Sequence, residues 1–149
     1  MRIVRAKKKD IPELYRLQLL AFESEAEMIG SRAVPALQET AAENRADFAN
    51  WTTLKLVDDA GRIVGAIRWR QRGAVVEVGR LMIHPDCRRR GLAQALLAEV
   101  DRLCPDAEKE LYTCTKSWSN LRLYEKMGYR PVRTDAQPGG LSFVYLRKR

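Results

Sequence analysis

The side chains with the most chemistry to offer fall in one run, Arg88-Arg89-Arg90-Gly91-Leu92-Ala93. The run follows an apolar stretch rich in Val, Leu and Ile. It opens a segment in which Leu92, Leu96, Val100 and Leu103 recur at helical spacing. A helix start exposes unpaired backbone N–H groups and carries partial positive charge. Gly91 lets backbone come close to an anion, and Ala93 keeps the first helical turn slim. Guanidinium groups match phosphate oxygens two at a time. A strand, this turn and a helix therefore read as a cradle for pyrophosphate. The common nucleotide loops are excluded, because neither G-x-G-x-x-G nor G-K-[ST] is present.

Three further positions could hydrogen-bond a ligand or move a proton. Asn120 and Tyr124 are four residues apart, on one face of an expected short helix. Glu77 is the only acid inside an otherwise apolar strand. Burial without a cation would raise its pKa into the range of a general base. Paired with an arginine such as Arg68 or Arg80, it would instead be a structural carboxylate. The only histidine, His84, stands beside Pro85 and reads as a cap or surface residue, so no Ser/His/Asp triad is supported. Cys87, Cys104 and Cys114 are too scattered for a zinc site, which needs about four ligands, and read as free thiols. Cys114 suits a buried apolar place. Trp51, Trp69 and Trp118 read as core or pocket lining, and Arg147-Lys148-Arg149 as a solvated basic tail.

The elements that must position these groups follow from patterning. Residues 2–6 form a first strand. Asp10-Ile11-Pro12-Glu13 starts a helix, with Asp10 as cap, and Ile11, Leu14, Leu17 and Ala21 as its apolar stripe. A second helix is expected from Val34 to about residue 49. Strands follow at 51–57, 62–70 and 74–83, the first two a hairpin and the third buried on both faces. After the 91–103 helix come a strand at 110–115, a short helix to Met127 ended by Gly128, and strands at 129–133 and 141–146. Helices interleaved with mostly antiparallel strands give an α+β fold in three layers.

The 149 residues suit one domain, 1–149, without repeat or linker. Hydrophobic residues at 46% and charged residues at 31% are ordinary for a globular chain. No apolar run is long enough to span a bilayer, and the first residues lack a secretory pattern, so no membrane partner and a cytoplasmic location are expected. The net charge of +8 is compatible with nucleic acid, anionic lipid or a phosphorylated cofactor and does not choose among them.

The motif Arg88-x-x-Gly91-x-Ala93 resembles the R/Q-x-x-G-x-G/A signature of the GNAT superfamily of acetyltransferases. The preceding Val78-Gly79-Arg80-Leu81-Met82-Ile83-His84-Pro85-Asp86 and the following Leu92-Ala93-Gln94-Ala95-Leu96-Leu97 are similar to its central strand and next helix. Asn120-x-x-x-Tyr124-x-x-x-Gly128-Tyr129 is similar to a second signature. Ala93 stands where Gly is commoner, which the pattern permits. The resemblance implies the GNAT acyl-CoA N-acyltransferase fold: a mixed, mostly antiparallel sheet with a splayed parallel pair, flanked by helices. It implies acetyl-CoA as cosubstrate and no metal. Backbone of Leu81, Met82 and Ile83 would bind the pantetheine arm. Residues Arg88, Arg89, Arg90, Gly91, Leu92 and Ala93 would hold the pyrophosphate, and Asn120 would bond the arm from the opposite wall. An amide of Met82 or Ile83 would meet the thioester carbonyl. Tyr124 would act as general acid, and Glu77 or a water chain as general base, with direct attack by a primary amine.

The acceptor stays open: a small-molecule amine or a peptide amine. Glu23, Glu25, Glu27 and Met28 lie where the family places an acceptor wall, though a solvated face explains the acids as well. A homodimer is compatible with the pattern. Two other functions compete, a non-catalytic acyl-CoA-binding regulator of this fold and a basic nucleic-acid-binding module. The second lacks a recognition motif, and Gly-Leu-Ala-Gln is a poor start for a base-reading helix.

Overall fold

The computed structural model describes residues 1–149. Its strands are β1 (Arg2–Arg5), β2 (Thr52–Val57), β3 (Ile63–Arg72), β4 (Val75–Ile83), β5 (Glu108–Cys114), β6 (Arg130–Ala136) and β7 (Ser142–Lys148). Its helices are α1 (Ile11–Ile29), α2 (Pro35–Gln38), α3 (Ala41–Asp47), α4 (Leu92–Leu103) and α5 (Trp118–Lys126). The sheet order is β1-β2-β3-β4-β5-β7-β6, and only β4 and β5 pair in parallel. No helix is long and apolar enough to cross a membrane.

Two cores occupy the two faces of the sheet. Leu96, Leu97 and Val100 of α4 and Tyr124 of α5 pack with Ile67, Val76, Val78, Leu111 and Leu146. Leu14, Leu17 and Ala21 of α1 pack with Ala6, Ile63, Ala66 and Met82. Helix, sheet and helix make the three layers that the alternation of elements implies.

The elements match the expected types and differ from them in detail at several points. The expected helix from Val34 to residue 49 is two helices. Glu39 is extended, and Thr40 caps α3 in a reciprocal pair with Glu43, its Oγ1 accepting from the Glu43 amide at 3.1 Å. Asp10 makes no side-chain cap. Its carboxylate accepts from the Lys7 amide and from Lys55 Nζ, while Glu13 accepts from the Ile63 amide at 2.8 Å. Both acids therefore tie α1 to the sheet. Strand β4 is not buried on both faces: Val76, Val78 and Met82 are buried, and their alternating neighbours are half-open. Arg147 and Lys148 do not form a solvated tail. They belong to β7 and pair with Glu108, Glu110 and Asp101.

Candidate functional site

The site begins where β4 and β5 part. They are in register only from Val75 to Glu77 against Glu108 to Glu110. Beyond that, β4 stays paired to β3 alone, so its other edge faces an open wedge. A bulge accompanies the split. Ala66 faces Met82 and Arg68 faces Gly79, which leaves Ile67 opposite both Arg80 and Leu81. Arg80 has φ +47°, a left-handed conformation rare for a residue with a side chain. Bulges bend a strand, increase its twist and re-aim a side chain.

On the turn side, the wedge opens into a cavity of about 410 Å³. Leu81, Met82 and Ile83 line one wall, and Asn120 and Leu123 of α5 line another. Arg88, Arg89, Gly91, Leu92 and Ala93 line its end; Arg90 does not contribute. Arg89 at φ +64° and Gly91 at φ +73° shape the turn. No side chain caps α4, and a Cβ on Gly91 would meet nothing within 4 Å, so the helix start faces open space. These features fit an anion bound through backbone amides. Arg88 Nη2 donates to the Ala21 carbonyl at 3.3 Å and so tethers the turn to α1. His84 accepts from the Asp86 amide at 3.0 Å, capping the short turn after β4.

On the sheet side, a second cavity of about 390 Å³ lies between β3, β4 and β5. The two cavities share Phe22, Glu25, Leu81 and Asn120. Tyr124 lines the second and is 6% exposed. Burial, and then the Glu25 charge, raise its pKa, so the phenol keeps its proton at neutral pH. Its ring meets Tyr129 edge to face, with centroids 6.0 Å apart.

Glu25 is the residue that the sequence left ambiguous. Burial raises its pKa against the opposing effect of the nearby polar side chains of Ser117, Thr113 and Asn120 and the charge of Arg88. Asn120 Nδ2 lies 3.3 Å from its Oε1. A signal did exist: Glu25 falls four residues after Ala21, so it continues the buried stripe of α1 where an apolar residue belongs. Glu23 instead pairs with Arg32, and Glu27 is exposed.

Glu77 lines the second cavity, but it does not stand there without a cation. Its carboxylate is paired with Arg70 at 2.8 Å and Arg72 at 3.3 Å. The partners are also not the expected ones. Arg68 pairs with Asp47 and Arg80 with Glu39. Trp51 lies under the guanidiniums of Arg68 and Arg70, with ring centroid distances of 4.0 and 4.1 Å. Trp118 lines neither core nor cavity and is 59% exposed.

The fold recurs in solved acetyltransferases. The ribosomal-protein-S18-alanine N-acetyltransferase of Escherichia coli superposes with a TM-score of 0.79 at 17% identity, covering 99% of this chain and 92% of that one. The PaiA N-acetyltransferase of Thermoplasma acidophilum, solved in complex with coenzyme A, gives 0.78 at 15%, covering 100% and 99%. An aminoglycoside 6′-acetyltransferase type Ii gives 0.76 at 18%, covering 99% and 96%. By sequence, the UPF0157 protein YqkA of Bacillus subtilis (strain 168) is 30% identical over 130 residues. That match takes in 87% of this chain, which spans 37% of the length of YqkA. The family model of the GNAT acetyltransferase domain matches residues 18–149. The chain belongs to the GNAT acetyltransferase family.

Proposed function

We propose that the chain is an acetyl-CoA-dependent N-acetyltransferase that acylates a primary amine by direct attack. One observation carries the reading: two cavities meet at Glu25 and Asn120, one ending at a basic helix start and the other lined by Tyr124. The donor lies in the turn-side cavity, its pyrophosphate on the residue 88–93 backbone with Arg88 and Arg89 beside it. The open edge of Leu81–Ile83 holds the pantetheine arm, with Asn120 across from it. The acceptor enters from the sheet side. The solved complex of PaiA with coenzyme A, which shares the fold, is consistent with this donor.

The donor supplies an activated acyl group on a leaving thiolate. An amide of Met82 or Ile83 polarises the carbonyl. Free alkylamines are mostly protonated near pH 7, so a base must act first. Glu25 takes this role, directly or through one water, in place of Glu77, whose carboxylate is engaged by Arg70 and Arg72 in the sheet wall. As the amine nitrogen bonds to the carbonyl carbon and the C–S bond breaks, Tyr124 delivers its proton to sulfur, and its phenolate takes up the proton that the nitrogen sheds as the amide forms.

The test is thiol release from acetyl-CoA with a broad panel of amines. Turnover with at least one amine supports the enzyme. Calorimetry showing no acetyl-CoA binding would overturn the donor assignment. Binding without thiol release from any amine would favour the regulator.

A further inference from the structure

Arg68 and Arg80 stand side by side at the wall of the sheet-side cavity, and the chain leaves most of their donors unused. Their side chains are 14% and 15% exposed. A guanidinium has five N–H donors and cannot be neutralised in a protein. Arg68 makes one hydrogen bond, a long one of 3.3 Å from Nη1 to Asp47 Oδ2. Arg80 has one ion pair, with Glu39 at 3.7 Å, beyond hydrogen-bond reach. That Glu39 oxygen already accepts from Gln18 at 2.8 Å and Asn44 at 3.0 Å. The Nε atoms of both arginines are buried with no partner.

Buried polar groups are normally satisfied, and two adjacent buried cations repel. Arg80 is brought to this place by left-handed backbone in the β4 bulge, at φ +47°. Strain held at a cavity wall points to a ligand contact. The neighbouring arginines lack this character: Arg70 and Arg72 are taken up by Glu77, and Arg72 also by Glu110. Trp51, beneath Arg68, adds a flat wall to the cavity.

We infer that the Arg68–Arg80 pair binds an oxyanion carried by the acceptor, so that the preferred substrate is a small amine bearing a carboxylate or phosphonate, as in an amino acid. The inference rests on the proposed amine acetylation for its second half only. The same cavity is lined by the pair and by Glu25 and Tyr124, so one ligand has room to place its anion at the arginines and its amine at the proton-handling groups. A volume of about 390 Å³ suits a small molecule. The unequal charge at the two ends fixes its direction, because Glu25 repels the oxyanion and the arginines repel an ammonium group.

Two measurements on the intact chain test this, one needing no turnover. Calorimetry with acetate, methylphosphonate and a set of L-amino acids reads the anion site directly. Wild type should bind at least one of these, and Arg80→Asn, which tolerates left-handed backbone, should bind it about 10- to 100-fold more weakly. Arg68→Met should act in the same direction, and Arg80→Lys should retain part of the binding. Acetyl-CoA affinity should not change, since neither arginine lines the turn-side cavity. Acetate against methylphosphonate distinguishes carboxylate from phosphonate recognition. The second measurement compares thiol release from amino acids, their carboxamides and aminoalkylphosphonates. An oxyanion-bearing acceptor should exceed its carboxamide by about 10- to 100-fold in kcat/KM, and Arg80→Asn should erase the difference. If no anionic probe binds, the guanidiniums are merely hydrated and the inference fails. It also fails if carboxamides or diamines are the better acceptors. Anion binding that depends on Arg80 without any turnover would leave the anion site standing and overturn the acetyltransferase reading alone.

Discussion

Replacing Tyr124 with Phe removes one oxygen and little else. The ring sits in the larger core cluster and meets Tyr129 edge to face at 6.0 Å, and Phe keeps both contacts. Stability should therefore change by less than about 1 kcal/mol. Catalysis should change far more. Burial and the Glu25 charge hold the phenol protonated across the neutral range, so every molecule has a proton to give. General acids contribute roughly 10²- to 10⁴-fold. A thiolate leaves readily even before it is fully protonated, which places this case at the low end. The expected loss is about 100-fold in kcat, or about 2.7 kcal/mol of barrier. Thiol release at saturating acetyl-CoA and amine measures kcat, calorimetry measures the acetyl-CoA Kd, and thermal melting reports folding. The expected pattern is kcat reduced about 100-fold with Kd within about twofold. A kcat within about threefold of wild type would show that the oxygen takes no part in proton transfer and that Tyr124 only packs.

Other expectations follow from named contacts. Glu25→Gln should lower kcat/KM about 100-fold near neutral pH and remove the acid limb of the wild-type pH profile, because a base must be ionised to act. A carboxyl with a raised folded pKa favours folding below its unfolded pKa, and that benefit is lost as pH rises through the folded value. The same variant should then melt no lower than wild type at pH 7. Gly91→Val forces a β-branched residue to φ +73°, so it should cost about 1–2 kcal/mol of stability and weaken acetyl-CoA binding in calorimetry at least about tenfold. Glu110 is buried among Arg72, Arg133 and Arg147. Burial alone would raise its pKa, but hydrogen bonding and charge from Arg147, then Arg133 and Arg72, bring it below the ordinary 4.5. Its stabilisation is present above that pH and is lost as pH falls through the depressed folded value. Glu110→Gln should cost about 3 kcal/mol in urea unfolding at pH 7, with the deficit shrinking in acid.

Where a residue's role depends on local backbone, the sequence was informative. The helix start at Gly91 and the end of α5 near Gly128 each rest on short-range geometry that a few residues specify. The split of the expected second helix was also encoded locally, in the Thr40–Glu43 capping pair, but helical spacing of Val34, Leu37, Ala41 and Phe48 ran across it and concealed it. Asp10 and Glu13 misled for a different reason. Their spacing fits a capping box, while Lys55 and the Ile63 amide, distant in sequence, compete for the same carboxylates. Tertiary partners overrode a correct local signal.

The same division runs through the site. The turn-side cavity can be read from one turn and one strand. The sheet-side cavity is lined by side chains from α1, β3, β4, β5 and α5, each ordinary in isolation. Glu25 is one of four acids on α1, and its place on the buried stripe sets it apart from Glu23 and Glu27. The arginines posed the harder problem. A net charge of +8 shows an excess of cations without showing which of them lack partners. Arg72, Arg133 and Arg147 surround one buried carboxylate, and Arg70 pairs with Glu77, so these cations balance internal charge. Arg68 and Arg80 differ by hydrogen-bond supply, not by charge, and that supply is set by a bulge that no single residue type announces. Charge that is already paired stabilises a fold, whereas charge held close to a cavity with donors left over selects a ligand. On the inference drawn above, recognition of the acceptor rests on Arg68 and Arg80, the two cavity-wall arginines that the sheet leaves incompletely bonded.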